Sequence, residues 1–413
     1  MGAFTFIDLF AGIGGFHQAL EDLGGTCVFA SEFHGPTQAI YRDNFGESML
    51  GPIAGDIVPL TEPVVSDVIP AHDLLAAGFP CQPFSKGGLQ RGIEEARGTL
   101  FFNILKIVEK HRPAEIILEN VPNLVGPKHK DTFHRIVLQL RNLGYRVSDT
   151  PTIFSPHLLP PESGGAPQIR NRVYIYAKFV GEQEATGAYG DESFYIPNKP
   201  VEGWDTRRWN LMKHLIIDGE SSETKLPPER ELAIAVWSDF VSSVGNQLGR
   251  TLPGFPIWEW ALTDQLKIEP DTPPWKANFL RKNFEFYSSN RDAIDKWRAR
   301  NPETEALPAS YRKLEWQAGE LRDLMDCAIQ FRPSGLRAKE PTYLPALVAM
   351  NQTSYVGPAQ RFISVSEAKR LQSFRPDFDF KNQNAALSMK QLGNAVSVSA
   401  VKHVIERFRE HYS

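Results

Sequence analysis

Eight residues near the start of the chain, Asp8-Leu9-Phe10-Ala11-Gly12-Ile13-Gly14-Gly15, constrain its fold more than any other stretch. They overlap the end of a short apolar run, Thr5–Phe10, and lead into an amphipathic segment, Phe16–Leu23. A strand that turns through glycines into a helix opens a βαβ unit. Glycine tolerates positive φ in the turn and lets a bound molecule approach the backbone closely. Such a turn also fits a plain tight connection. Glu32 sharpens the reading: it stands 24 residues beyond Asp8, where the second apolar run, Cys27–Ser31, closes. A carboxylate so placed accepts hydrogen bonds from ribose hydroxyls, the alternative being a solvated acid at a strand end.

The same alternation continues for about 180 residues. Asp73–Ala77, Glu115–Glu119 and Arg172–Ala177 read as strands, and Leu100–His111 and Phe133–Leu143 as helices. Repeated strand-to-helix alternation predicts an α/β fold with a mostly parallel, helix-covered sheet and its ligand at the carboxyl ends of the strands. Beyond residue 180 the pattern stops, and all eight tryptophans fall between Trp204 and Trp316. Regularity returns near Arg361, with helices expected over Ser366–Gln372 and Val398–His411. The expectation is a discontinuous core, 1–180 plus 361–413, with a smaller domain, 181–360, inserted into it.

Composition excludes several classes. No apolar stretch of about 18 residues is free of charge, so no membrane span is expected. The opening MGAFTFIDLF lacks a basic flank and a cleavage site, and so reads as a strand and not as a signal peptide. Three cysteines, Cys27, Cys81 and Cys327, have no metal-type spacing and argue for a reducing compartment without disulfides or metal. The net charge of −4 points away from a dedicated nucleic-acid binder, although Arg135–Arg146 and Lys276–Arg300 are basic runs.

Three further constellations carry chemistry. In Gly78-Phe79-Pro80-Cys81-Gln82-Pro83-Phe84-Ser85 a cysteine sits between prolines in a loop that follows a strand, as a positioned nucleophile would. Cys27 and Cys327 read as buried structural thiols. The polar, glycine-rich Lys86–Gly98 suits a loop that closes over a substrate. Glu119-Asn120-Val121 ends a strand at the same sheet edge, where an acid can deliver a proton, though a solvated acid is the commoner case. In Gln168-Ile169-Arg170-Asn171-Arg172, alternation puts both arginines on one face, one to bind a substrate oxygen and the other a phosphate or a neighbouring acid.

In this order the motifs resemble the C5-cytosine-specific DNA methyltransferases, particularly the bacterial restriction-modification enzymes. The likeness runs through residues 5–178 and resumes over about 361–408. It implies a Rossmann-like S-adenosylmethionine-dependent core with an inserted target-recognition domain. By resemblance the cofactor is S-adenosyl-L-methionine, held by Asp8, Phe10, Ala11, Gly12, Gly14, Gly15, Glu32, Asp56 and Ile57. Pro80, Leu100 and the Gln391–Val396 segment with Asn394 and Ala395 would complete that site. Cys81, Glu119, Arg170 and Arg172 would be catalytic, and Gln82, Ser85 and Arg97 would contact substrate, with no metal. In that mechanism cytosine flips out of duplex DNA, Cys81 attacks C6, Glu119 supports N3, Arg172 stabilises charge at O2 and C5 takes the methyl group. The resemblance also implies a monomer in the cytoplasm, acting on double-stranded DNA beside a cognate restriction endonuclease.

Within 181–360, Trp275–Asn283 mixes aromatics with cations and reads either as a DNA contact or as an amphipathic helix packed inward. Arg332-Pro333-Ser334-Gly335 and Asn351-Gln352-Thr353 are polar candidates without an assigned base. The family's threonine–aliphatic pair is missing from Pro345-Ala346-Leu347-Val348. A transfer-RNA cytosine methyltransferase shares nearly all these motifs, but the tryptophan-rich insertion favours DNA. A silent DNA-binding homologue would have no need of Cys81, Glu119 and the arginines. Amino-group methyltransferases use an Asp/Asn-Pro-Pro-aromatic motif where Phe79-Pro80-Cys81 stands, and a dehydrogenase leaves the Pro-Cys-Gln loop unexplained.

Overall fold

The computed structural model describes residues 3–80, 100–127, 129–185, 194–219, 226–249, 251–348 and 354–412. The chain divides into two compact units, one of Met1–Thr206, Pro345–Ala349 and Ala368–Ser413, the other of Arg207–Leu344 and Met350–Glu367. The first unit continues past residue 180 because that stretch is tied to it by backbone bonds. The Ile196 N–H donates to the Thr152 hydroxyl and the Val201 N–H to the Leu158 carbonyl.

In the first unit, β1 (Phe4–Leu9) turns into α1 (Gly15–Glu21), followed by β2 (Gly25–Ser31), α2 (Gly35–Phe45), β3 (Ile53–Ala54) and β4 (Leu74–Gly78). Next come α3 (Leu100–His111), β5 (Glu115–Asn120), α4 (Lys130–Asn142), β6 (Tyr145–Val147), β7 (Thr152–Phe154), the two-residue β8 (Gln168–Ile169) and β9 (Arg172–Phe179). The main sheet has the order β3-β2-β1-β4-β5-β9-β6, with β7 also on β9. Its first five strands are parallel, as helical crossovers require. The sheet is mostly parallel, as expected, with one reversed strand: β9 runs antiparallel to β5, β6 and β7. The chain passes from β6 through β7 to β9 without an α-helix, and a parallel neighbour would need such a crossover. The reversal brings the start of β9 to the edge where β1, β2, β4 and β5 end. There Glu119 pairs with Tyr174 and Asn120 with Val173. Ile7, Leu75, Ile116, Leu118 and Ile175 build the core beneath this edge.

The glycine turn is fixed by close packing. Gly14 has φ +89°, and a Cβ there would stand 2.3 Å from the Phe45 ring. A Cβ on Gly15 would meet the Val396 Cγ2 at 2.7 Å and the Val396 carbonyl oxygen at 2.9 Å. Only glycine lets the segment around Val396 lie directly against the start of α1.

The second unit has a six-stranded sheet, ordered Ile257–Trp258, Lys313–Gln317, Gly335–Lys339, Ala328–Arg332, Tyr355–Val356, Arg361–Phe362. Its core holds Trp237 and Trp297, with stacked rings 5.8 Å apart, and Trp316. Much of the tryptophan enrichment therefore reflects a core of large rings. Among the described residues no helix is long and apolar enough to cross a membrane.

Gly15→Ala is expected to destabilise the first unit by about 1–3 kcal/mol through overpacking against Val396. Urea unfolding measures the loss, and hydrogen exchange should show faster opening of residues 391–398.

Candidate active site

The carboxyl edge of the sheet borders a cavity of about 530 Å³, a size suited to a small-molecule ligand. Each wall comes from a strand end: Phe10 and Gly12 after β1, Glu32 and His34 after β2, Gly78–Pro80 from β4, Glu119–Val121 from β5, and Arg172 opening β9. The remaining wall is the helix Ala385–Asn394, through Leu387, Lys390, Gln391, Gly393 and Asn394.

Glu32 is held by two backbone donors, the Gly12 N–H to Oε2 at 2.9 Å and the His34 N–H to Oε1 at 2.8 Å. A carboxylate accepts about four hydrogen bonds, so both oxygens keep capacity for a diol. Beside it, a Cβ built on Gly12 meets nothing within 4 Å, which leaves the turn open to the cavity. His34 bonds Thr37 at 2.9 Å, and the Gln391 amide donates to the Thr37 hydroxyl at 3.2 Å, joining the two walls.

Glu119 and Arg172 form a buried ion pair with Nε–Oε1 at 2.9 Å. Burial raises the Glu119 carboxyl above its ordinary pKa, and the positive charges of Arg172 and Arg170 only partly offset this. The acid is thus biased towards its protonated form beside a cation. The Asn120 amide donates to the Phe79 carbonyl at 2.9 Å, fixing the backbone one residue before Pro80. Cys81, Gln82, Ser85 and Arg97 lie outside the described residues.

The two arginines of the Gln168–Arg172 motif are separated by environment. Residues 170 and 171 are not in a strand, so simple alternation does not apply. Arg170 is fully buried away from the cavity and donates to the carbonyls of Leu347 (2.8 Å), Gly393 (2.8 Å) and Ala395 (2.6 Å). Burial lowers its pKa to about 9, which leaves it charged at neutral pH.

Other residues singled out from the sequence do not line the cavity. Asp8 is fully buried, and burial raises its pKa well above the ordinary value, offset only in part by a hydrogen bond from the His17 backbone. The Ala11 N–H donates to the Ser31 carbonyl, and Gly14 and Gly15 serve packing. Asp56 is exposed and accepts from the Val58 N–H, while Ile57 and Leu100 pack with the core. Ala395 contributes its carbonyl to Arg170. Phe10, Gly12, Glu32, Pro80, Glu119, Arg172 and Asn394 are brought together at the cavity. Sequence reading missed His34 and Thr37, which lack a local motif, and Phe33, whose ring is 80% exposed directly after Glu32.

The family model for C-5 cytosine-specific DNA methylases matches residues 4–410. The chain belongs to this family. It is 39% identical to the type II methyltransferase M.AluI of Cellulosimicrobium cellulans, over 99% of this chain and 92% of that one. A second relative, M.HhaI of Haemophilus parahaemolyticus, is 41% identical over 41% of this chain and 47% of its own. The structure of the S. pombe Dnmt2 methyltransferase shares the fold, with a TM-score of 0.51, 17% identity and 99% coverage of both chains.

The methyltransferase transfers methyl groups to cytosine C5 in DNA and uses S-adenosyl-L-methionine. The cavity fits that cofactor: an open glycine turn faces a twice-anchored carboxylate with spare acceptor capacity. Among the described residues no group of three or more His, Cys, Asp or Glu could hold a metal ion.

Burial pushes the Cys27 and Cys327 thiols up to about 12. At pH 8 only about one in ten thousand of each would be thiolate. Iodoacetamide should therefore spare both in the native methyltransferase and label them only after unfolding. Peptide mass spectrometry checks this, and native labelling at Cys27 or Cys327 would contradict it.

Proposed function

We propose that the methyltransferase acts on a cytosine flipped out of a specific duplex sequence, through a covalent bond between Cys81 Sγ and cytosine C6. The observation that carries this reading is the buried Glu119–Arg172 pair on the cavity wall beside Pro80, the residue before Cys81. C6 is a poor electrophile until N3 gains a proton. A carboxyl whose pKa is raised by burial can supply that proton as the thiolate adds. Arg172 holds Glu119 in place and offers its remaining donors to the cytosine O2. Attack at C6 makes C5 nucleophilic. Bound S-adenosyl-L-methionine supplies an electrophilic methyl group there. Loss of the C5 proton to solvent and departure of Cys81 as the thiolate restore the ring, and N3 returns its proton to the Glu119 carboxylate.

Glu32 is proposed to hold the cofactor's ribose hydroxyls, and Phe33 to stack on its adenine. Arg170 is a positioning residue that secures the wall containing Gly393 and Asn394. We assign target recognition to the second unit, with Gln82, Ser85 and Arg97 beside the substrate. The type II relatives support pairing with a cognate restriction endonuclease; a monomer working in the cytoplasm on the cell's DNA is part of the same proposal.

The test is tritiated methyl transfer to mixed-sequence duplex DNA and to bulk transfer RNA. Label should enter DNA, vanish with Cys81→Ser, and fall about 10²- to 10⁴-fold with Glu119→Gln. Label confined to transfer RNA would overturn the DNA reading. Because the Glu119 pKa is raised and its acid form is the active one, the wild-type rate should decline as pH rises through that pKa. The Glu119→Gln variant should lose this limb of the profile. Phe33→Ala should weaken cofactor binding about five- to a hundredfold by calorimetry, the range of one aromatic–base stack.

A further inference from the structure

The sheet of the second unit has two unlike faces. Leu314 and Trp316, Ile329 and Phe331, and Leu336 and Ala338 point into its hydrophobic core. The alternate residues form the opposite face: Lys313, Glu315 and Gln317 on one strand, Arg337 and Lys339 on the next, and Gln330 and Arg332 on the third. This face sets four cations against one carboxylate on a chain whose net charge is −4.

Glu315 organises the face. It accepts from Arg332 Nη2 at 2.5 Å, from Arg337 Nη2 at 2.9 Å and from the Gln317 amide at 2.5 Å. Gln330 pairs across the strands with Arg337, which in turn pairs with Glu315. The ion pairs leave capacity unused. The Gln330 Oε1 and the Nε atoms of Arg332 and Arg337 are buried without a hydrogen-bond partner among the described residues. Lys313 lies 5.2 Å from the Trp260 ring centre and Lys339 4.7 Å from that of Tyr343, so aromatic platforms hold both ammonium groups.

The strands Ala328–Arg332 and Gly335–Lys339 form an antiparallel ribbon closed by the exposed two-residue turn Pro333-Ser334. Both strands have a further neighbour in the sheet, so the projecting part is the turn with Arg332 beside it. A guanidinium is the side chain best matched to guanine O6 and N7 in the major groove of B-form DNA. The Glu315 carboxylate fixes both arginines before any ligand arrives, reducing the entropy lost on binding.

We propose that this polar face is the surface that reads the target duplex, with Arg332 and Arg337 as specificity-determining donors to guanine edges in the major groove. The inference rests on the reading of a specific DNA duplex as substrate. Glu315 is a positioning residue that presents the two guanidiniums and does not itself meet the bases.

The test uses the full-length chain with Arg332→Lys, Arg337→Lys and Glu315→Gln. Bisulfite sequencing of wild-type product first defines the preferred site. Transfer is then compared, within one sample, between that site and duplexes with single G·C pairs exchanged. Such a ratio does not depend on the fraction of protein folded. Lysine keeps the charge and loses the fork, so at least one arginine variant should lose about ten- to a hundredfold discrimination at one G·C pair. The salt dependence of its DNA binding should hardly change. Glu315→Gln should lower discrimination at the same pair. Unchanged ratios in both arginine variants would overturn the proposal while leaving the methyltransferase reading intact. Failure of the wild type to label DNA would instead sink the reading on which it rests.

Discussion

The Arg170 guanidinium, buried and bonded to the carbonyls of Leu347, Gly393 and Ala395, is the contact on which the first unit depends. It ties together pieces of chain more than 170 residues apart. A buried charge is costly unless hydrogen-bonded, and three carbonyl acceptors satisfy this one. Gln168 completes the tie, accepting from the Leu347 N–H and donating to the Leu371 carbonyl. With the Gly393–Ala395 backbone fixed, Gln391 and Asn394 can form a cavity wall and Val396 can lie on Gly15.

Two arginines two residues apart thus have different tasks. Arg172 opens β9, reaches the cavity and pairs with Glu119, whereas Arg170 stands before the strand and turns inwards. The antiparallel course of β9 allows this division, because it brings Arg172 to the edge where the parallel strands end. A parallel β9 would have left Glu119 without its cation.

The parts of this architecture that local chemistry dictates were legible in the sequence. The glycine turn, the acid ending β2, the helix Leu100–His111 and the strand ending at Glu119-Asn120 each carry their own periodicity or turn residues. Direction and long-range pairing were less so. Nothing in Arg172–Phe179 announces that β9 runs backwards, because an apolar run has no polarity of its own. His34 and Thr37 escaped notice because the link from Thr37 to Gln391 forms across some 354 residues. Asp8 has the reverse lesson: a motif acid beside a cofactor turn reads as a ligand, yet its carboxyl is enclosed behind that turn. Burial is a property of the packed structure, and a single sequence does not display it.

The interrupted layout of the first unit also fixes an order of events during synthesis. The glycine turn, Glu32 and the Glu119–Arg172 pair leave the ribosome early, but the cavity lacks a wall until residue 395 has emerged. The second unit is translated in between and can collapse on its own core of tryptophans while the first still waits. A nascent chain is therefore a poor receptor for the cofactor, and a fragment ending before Gly393 would keep the acidic and basic groups of the site without the cleft that gathers them.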